Sequence, residues 1–502
     1  MATKSVEMST IKSNDNNNNN AGTKDAPQET SSKLKKTLSR RQVTSFHIEE
    51  GPNPDAPEPK SLQQLMDDLK KVQASPSDSA LLKTLVFNLC ERYHEITWLS
   101  QKTHVTPEGI VGKQTNKISE QMFGEAHIEF DKTIVSIFCL FWVHENDRAS
   151  FVECQRDPFR LTEKSFADLR NYVFRVCPTS PDVEALVVFT VLNDLGKVEK
   201  VVEYVAARTG IEEVDHDKIL WMGLKTLPKI FPSYAKLEEK YKKWLLEGLG
   251  AQFNFAQLVQ GESIPASLTG LKGLSKEALD LFNMHALFDM AGAAGHVNWH
   301  GSVVLAEATY NDIFMTIEAI ETLKDGASVK QVYDTYLHKR AKSLGFDIRW
   351  PTQRALCRIC CMLRLHTKAE AEKVIGAYQN LPHDTWVLLR KELNTTGIDD
   401  GWAILLYYAP ALLLNVNAAK KEELKSPDTL FVEAVEGGMK ILAKCFAAAR
   451  EHIKDRRGNG VFTADIADVA NKVKNPKNWI VMDYQVSAIG EDSKIIGKLP
   501  EN

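Results

Sequence analysis

From Ser61 onward, apolar residues recur at every third or fourth position, and this period limits what the chain can fold into more than any motif does. Leu62, Leu65, Met66 and Leu69 follow Ser61 at helical spacing, with Ser61 placed to cap them. A Pro/Ser break at 75–78 intervenes, and Leu81, Leu82, Leu85, Val86 and Leu89 resume the pattern. The same reading predicts helices over 119–143, 163–175, 182–195, 198–208, 216–227, 235–247, 276–298, 302–322, 329–343, 352–365, 367–379, 384–394, 403–419, 428–453 and 464–473. Strand-like alternation is rare, and no Asn-Gly turn sits between β-branched runs. No repeat of about 30–45 residues is visible, which disfavours a solenoid. The expected class is therefore all-α, a multi-helix body.

Residues 1–60 break this pattern. They are rich in Ser, Thr, Asn, Lys, Glu and Pro and include an Asn16–Asn20 run. Such a composition cannot bury enough apolar area to offset chain entropy, so a disordered tail is expected there. Within it, Lys33–Arg41 is a basic stretch carrying hydroxyls, and Ser39 or Thr44 could accept a phosphate. The expected organisation continues with a helical domain over 61–322 and a C-terminal helical region over 323–480, separate or packed with it as one body. A polar tail follows over 481–502. The breaker at 324–327, Lys-Asp-Gly-Ala, marks the division.

Charge and cysteine usage narrow the function classes. The chain carries 62 basic and 66 acidic residues, a net charge of −4. That balance gives no electrostatic reason to expect nucleic acid or an anionic membrane as the main partner. A small-molecule substrate or ligand is the expected partner. Five cysteines are scattered singly, and Cys357, Cys360 and Cys361 form a cluster with no second ligand pair at zinc spacing. Reduced, buried thiols in a cytoplasmic protein are the expectation. No N-terminal signal segment is visible, and the longest apolar runs, 133–143 and 403–416, fall short of the ~18–20 residues that span a bilayer. Both read as buried helices. P-loop, Rossmann and nucleophile-elbow signatures are absent.

The most specific stretch is 184–201, an apolar helix ending in Asn193-Asp194-Leu195-Gly196-Lys197. Gly196 is expected to supply a left-handed C-cap. Asp194 would then sit at the negative end of a buried helix, an unfavourable place without a compensating cation. A bound metal, Lys197 or an arginine could each compensate. Further on, Asp215 is placed to cap a helix that starts at His216. The second constellation lies at 283–301. His285 and Asp289 are four apart and so stack on one helix face, with His296 and His300 continuing the stripe if the helix runs on. These are chelating spacings, and the small residues 291–295 would let a ligand or another helix approach closely. The alternative is a tight helix crossing with satisfied polar residues. His383-Asp384, in contrast, reads as an ordinary helix start.

The stretch Leu192–Val198 resembles the HD-domain superfamily, in which a buried helix ends in His-Asp, an aliphatic residue, Gly and Lys. Asn193 stands at the histidine position, and no histidine occurs between 145 and 193. The resemblance implies an all-helical core and a divalent metal (Fe, Mn, Zn or Mg). The ligands it implies are Asp194, His216 and Asp289; the residues add His285, His296 and His300. It makes Lys197 the candidate catalytic residue. The implied activity is metal-dependent phosphoester hydrolysis on a small-molecule or nucleotide substrate. Two other readings are a non-catalytic helical protein that binds a ligand or protein partner through a degenerate HD-like core, and a di-iron oxygenase of the inositol-oxygenase type.

Overall fold

The computed structural model describes residues 58–100, 117–211, 215–419, 426–481, 483–489 and 492–498. The basic stretch 33–41, with Ser39 and Thr44, lies outside these residues, as do most of the expected N-terminal tail and parts of the C-terminal one. The described residues all fall within one compact unit.

The helical period is realised through most of the chain. Helix Leu62–Ala74 starts on a capping box in which Ser61 Oγ accepts from Gln64 N–H and Gln64 Oε1 accepts from Ser61 N–H. Helices Ser328-capped Val329–Leu344 and Thr367-capped Lys368–Gln379 begin the same way. Three helices make the centre of the N-terminal half: Ile128–His144, Ser180–Asn193 and Lys276–Gly292. Each is apolar around almost its whole circumference, which is the pattern of a helix buried on all sides. The expected span 119–143 is instead two helices, Ile118–Phe123 and Ile128–His144, because Gly124 takes a left-handed conformation at φ 77° and ends the first.

The all-helical expectation misses a small sheet near the C-terminus. Residues 403–419, read as one helix, are strand β1 (Trp402–Tyr407) followed by helix Ala409–Ala419. Strand β2 (Gly460–Asp465) takes the start of what was read as helix 464–473. The sheet order is β1-β2-β4-β3, with β3 spanning Asp483–Ile489 and β4 Asp492–Lys498. β1 and β2 are parallel, with Trp402 opposite Gly460, and the helices Ala409–Ala419 and Pro427–His452 connect them. A parallel strand covered on both faces reads as a continuous apolar run, and Trp-Ala-Ile-Leu-Leu-Tyr is one. Periodicity cannot separate such a run from a buried helix.

The C-terminal helices are tied to the preceding segment by a buried cation. Arg358, 3% exposed, donates to the carbonyls of Gly261, Glu262, Ser263 and Leu393. Its charge is dispersed over four carbonyl dipoles. Cys357, Cys360 and Cys361 occupy buried positions of helix Pro351–Met362, as the helical reading expects, and all eight cysteines are unpaired thiols. No helix among the described residues is long and apolar enough to cross a membrane.

Candidate functional site

Helix Ser180–Asn193 stops at Asp194, whose backbone leaves helical geometry (φ −92°, ψ 1°) and enters a tight turn over Asp194–Lys197. The glycine in this turn has a different role from the expected one. Gly196 is not among the residues with positive φ. A Cβ on it would instead lie 1.9 Å from the carbonyl oxygen of His216. Gly196 therefore permits a backbone-to-backbone approach that seats the first turn of helix His216–Thr226 against Asp194–Lys197. Asp215 caps that helix, its carboxylate accepting from the N–H groups of Asp217 and Lys218, as expected from its position.

The glycine-rich stretch after Asp289 also works through close approach. A Cβ on Gly292 would come within 2.4 Å of Ser136 N, and one on Gly295 within 2.6 Å of Asp131 O. Helices Ile128–His144 and Lys276–Gly292 thus cross with their backbones nearly touching. The second helix ends at Gly292 rather than at 298, so His296 and His300 do not continue its stripe. Short turns replace it, with Gly295 N–H bonded to Gly292 O and Val297 N–H to Ala294 O. Two glycines in four residues are poor helix formers, and the crossing uses the space that further turns would need.

These two approaches gather charges from four elements. Asp194 is 4% exposed. Its carboxylate lies 2.5 Å from Lys197 Nζ and accepts from Asn193 Nδ2 at 3.4 Å. Lys197 Nζ also reaches Glu129 Oε2 at 3.3 Å, and Glu129 contacts Lys132 at the same distance. Glu129 and Lys132 come from the N-terminal end of helix Ile128–His144, Glu129 in its first turn. Asp289 lies within the electrostatic reach of Lys132, Lys197 and Glu129, and Asp217 within that of Lys197 and Asp289. Lys197 is the hub. Burial works against its charge, but Asp194, then Glu129 and Asp289, outweigh burial and hold its pKa above the ordinary lysine value. Desolvation raises the pKa values of Glu129, Asp217 and Asp289; the nearby carboxylate of Asp194 adds to the rise at Glu129, that of Glu129 at Asp289, and those of Asp215 and Asp289 at Asp217.

The expected site residues divide accordingly. Asp194, Lys197 and Asp289 come together. His216 stands at the rim, partly exposed and 3.2 Å from Asp217. His296 lies near Lys132 and Glu129, with its Nδ1 buried and without a hydrogen-bond partner; burial, then Lys132, lowers its pKa. His300 is not brought to the cluster: it stacks on Trp299 at 3.9 Å, and its nearest acid is Glu153 at 4.0 Å. His285 faces the apolar interior, stacked on Phe189 at 4.2 Å and 14°, and its Nδ1 has no partner. Glu129, Lys132 and Asp217 were not singled out from the sequence. Glu129 and Asp217 lie in the first turn of a helix, where an acid is already accounted for by the helix dipole, and Lys132 reads as an ordinary i,i+3 partner of Glu129. Nothing local marks them as members of a site.

Burial pushes the His285 pKa down to about 3, well below its unfolded value. Its stabilising effect is thus present above about pH 6.5, and it fades as pH falls, because the unfolded chain takes up a proton that the folded one refuses. His285→Phe is expected to flatten the acid limb of the stability curve between about pH 6.5 and 4 while leaving neutral-pH stability within ~1 kcal/mol. Urea unfolding at several pH values checks this, and an unchanged acid limb would refute it.

Among the described residues, no group of three or more His, Cys, Asp and Glu side chains is arranged to hold a metal ion. The donor set shows why. The most buried carboxylate, Asp194, is engaged by an ammonium at 2.5 Å, and Glu129 shares that ammonium. His285, a natural nitrogen ligand, is turned to Phe189. A divalent metal does not fit these side chains as they stand. One family model, described as a family of unknown function (DUF6829), matches residues 89–479. No curated protein and no solved structure matches the chain.

Proposed function

We propose, since the chain belongs to the DUF6829 family and that family has no assigned function, that its function is read from the acid–lysine cluster: this is a helical protein that binds a small cationic ligand, an amine or guanidinium, at a degenerate HD-like core. One observation carries the reading. Glu129 and Asp194 contact Lys197, Glu129 also contacts Lys132, and Asp217 and Asp289 lie within electrostatic reach, so four carboxylates act on two ammonium groups in a half-buried place. The excess negative charge favours a further cation; burial, and then the neighbouring carboxylates, raise the pKa values of Glu129, Asp217 and Asp289.

A second reading, metal-dependent phosphoester hydrolysis of the HD type, is favoured by the convergence of acids from separate helices. A metal bound there would polarise a phosphoryl oxygen and activate water. It would require Lys197 to leave Asp194.

The two readings separate by titration of the purified protein with butane-1,4-diamine and methylguanidine, followed by calorimetry and thermal melting. A ligand at 100 times its Kd is expected to stabilise the fold by ~2.7 kcal/mol, and Asp289→Asn is expected to abolish the effect. The pH dependence has a definite sign. The raised acids are more protonated in the fold than in the unfolded chain, so stability without ligand falls as pH rises above the ordinary carboxylate range. Amine affinity is expected to rise over the same interval as the cluster ionises. An absence of amine binding, or stoichiometric metal in the protein as purified, would sink this reading.

A further inference from the structure

We infer that the groove between helices His216–Thr226 and Glu239–Gly250 is the docking surface for the chain's own acidic, proline-rich segment at 48–57. The groove has a volume of about 670 Å³. Its floor is apolar, formed by Trp221, Leu224, Leu246 and Leu274. The Trp221 indole is fixed in place. Its Nε1 donates to Leu246 O at 3.1 Å, and a Cβ on Gly250 would lie 2.9 Å from the same nitrogen, so the glycine leaves room for the ring. The rim is basic. Lys225, Lys242 and Lys243 line it, and Lys229 and Lys272 adjoin it next to Pro228 and Gly273. Two acids answer them. Glu239 lies 2.7 Å from Lys242 and Glu247 lies 3.7 Å from Lys243, with Glu247 also committed to Ser275. Lys225, Lys229 and Lys272 are exposed and, among the described residues, pair with no carboxylate; Lys225 lies over the Trp221 ring at 4.6 Å. An aromatic floor beneath unpaired ammonium groups fits an extended, acidic partner.

Charge, length and the place where the chain enters the fold select the occupant. Residues 48–57 hold Glu49, Glu50 and Asp55 and no lysine or arginine, so their charge complements that of the rim. Pro52, Pro54 and Pro57 favour an extended chain and lower the entropy lost on docking. Aromatic-lined grooves recognise proline-rich segments in this way. The chain also arrives at the right place. Lys60 O accepts from Arg92 Nη1 at 2.9 Å, and Arg92 pairs with Glu184 of helix Ser180–Asn193 at 2.7 Å. Asp182, two residues before Glu184, accepts from the Tyr241 hydroxyl at 2.7 Å, and Tyr241 directly precedes Lys242. A short run of side-chain contacts thus links the chain's entry to the start of helix Glu239–Gly250, one wall of the groove. That helix is ~18 Å long, and ten extended residues reach ~31 Å, enough to run its length. Tethering holds the segment near the groove at roughly millimolar effective concentration, so weak contacts suffice.

The groove is separate from the acid–lysine cluster, which meets helix His216–Thr226 at its first turn, and its test does not use amine binding. Full-length wild-type protein is treated with a carbodiimide, which joins a carboxylate to an ammonium where the two are in contact. Peptide mapping is expected to find Lys225, Lys229 or Lys272 joined to Glu49, Glu50 or Asp55 within one chain. The yield is expected to fall in about 1 M NaCl, where charges are screened beyond ~3 Å. The triple variant Glu49→Gln, Glu50→Gln, Asp55→Asn changes none of the residues that build the groove and is expected to leave it open. A fluorescent synthetic peptide of residues 48–57 is expected to bind this variant at least about tenfold more tightly than wild type, whose own segment competes. Adding Lys225→Gln and Lys272→Gln to the triple variant is expected to remove peptide binding, with a thermal melt to show that the fold is kept. The inference is overturned if no crosslink joins the segment to these lysines, or if the triple variant binds the peptide no better than wild type. Peptide binding that survives the loss of both lysines overturns it as well. Crosslinks found only between chains, in a mixture of isotopically light and heavy protein, would assign the groove to a second copy and overturn it too.

Discussion

Gly292→Ala is expected to destabilise the protein by about 3 kcal/mol, at the upper end of overpacking substitutions. The reason is that the added methyl meets backbone. Its Cβ would sit 2.4 Å from Ser136 N and 2.7 Å from Ser136 Cα as well as against Ser136 Oγ. A side chain can rotate away, but a helix backbone cannot. Helices Ile128–His144 and Lys276–Gly292 would have to separate. Helix propensity offers little against this result, since Gly292 is the last residue of its helix rather than an interior one. Separation of the helices would also move Glu129 and Lys132 away from Asp289, so the variant is expected to lose amine binding together with stability. Denaturant midpoints and a ligand titration on the same preparation check both parts. A variant as stable as wild type would show that the crossing is looser than described.

Arg340→Met is expected to have an effect at least as large, ~3–5 kcal/mol, because it strands a buried charge. Arg340 is 1% exposed and forms an ion pair with Asp312, itself 7% exposed. The guanidinium also donates to Leu365 O at 3.0 Å and to Cys361 Sγ at 3.4 Å. Removal of the cation leaves Asp312 desolvated with no partner of full opposite charge except His366, whose pKa burial lowers to about 4. The loss of the pair as a whole is a different matter. A double variant, Arg340→Met with Asp312→Leu, is expected to recover most of the stability, since replacing both partners by apolar groups is often neutral. Unfolding of the two single variants and the double variant forms a cycle that isolates the pair. A double variant no better than Arg340→Met would place the loss in packing instead.

The Asn193–Lys197 turn was legible because it is contiguous: a buried helix, an acid, a glycine and a lysine in five residues. Asp289 was legible because four-residue spacing puts it on one face with His285. The assignment of His285 to that face was right, but the face is wide enough to hold an apolar contact one turn from a charged one, and His285 took the Phe189 contact. His296 and His300 were expected to extend the stripe by arithmetic that holds only while the helix lasts. Glu129 and Asp217 carried no signal, since first-turn acids are common on helices with no site at all, and a lysine three residues after Glu129 reads as an ordinary helix-surface pair.

The amino-acid order by itself determined most of the helices and the caps at Ser61 and Asp215, because each depends on residues within about two turns of one another. Ser61 with Gln64, and Asp215 with Asp217, are settled locally. Tertiary structure decided what those rules leave open. It decided that Trp402–Tyr407 is a strand, since the parallel partner Gly460–Asp465 is more than fifty residues away. It ended the helix at Gly292 and gave Gly196 its role, because both glycines answer to a backbone from another part of the chain. It also chose Lys197, from the cations that could have compensated Asp194, by closing the turn and bringing Glu129 and Asp289 around the same ammonium. Charge acts through space, so the sum of charges at that point exists only once four separated segments have been packed together.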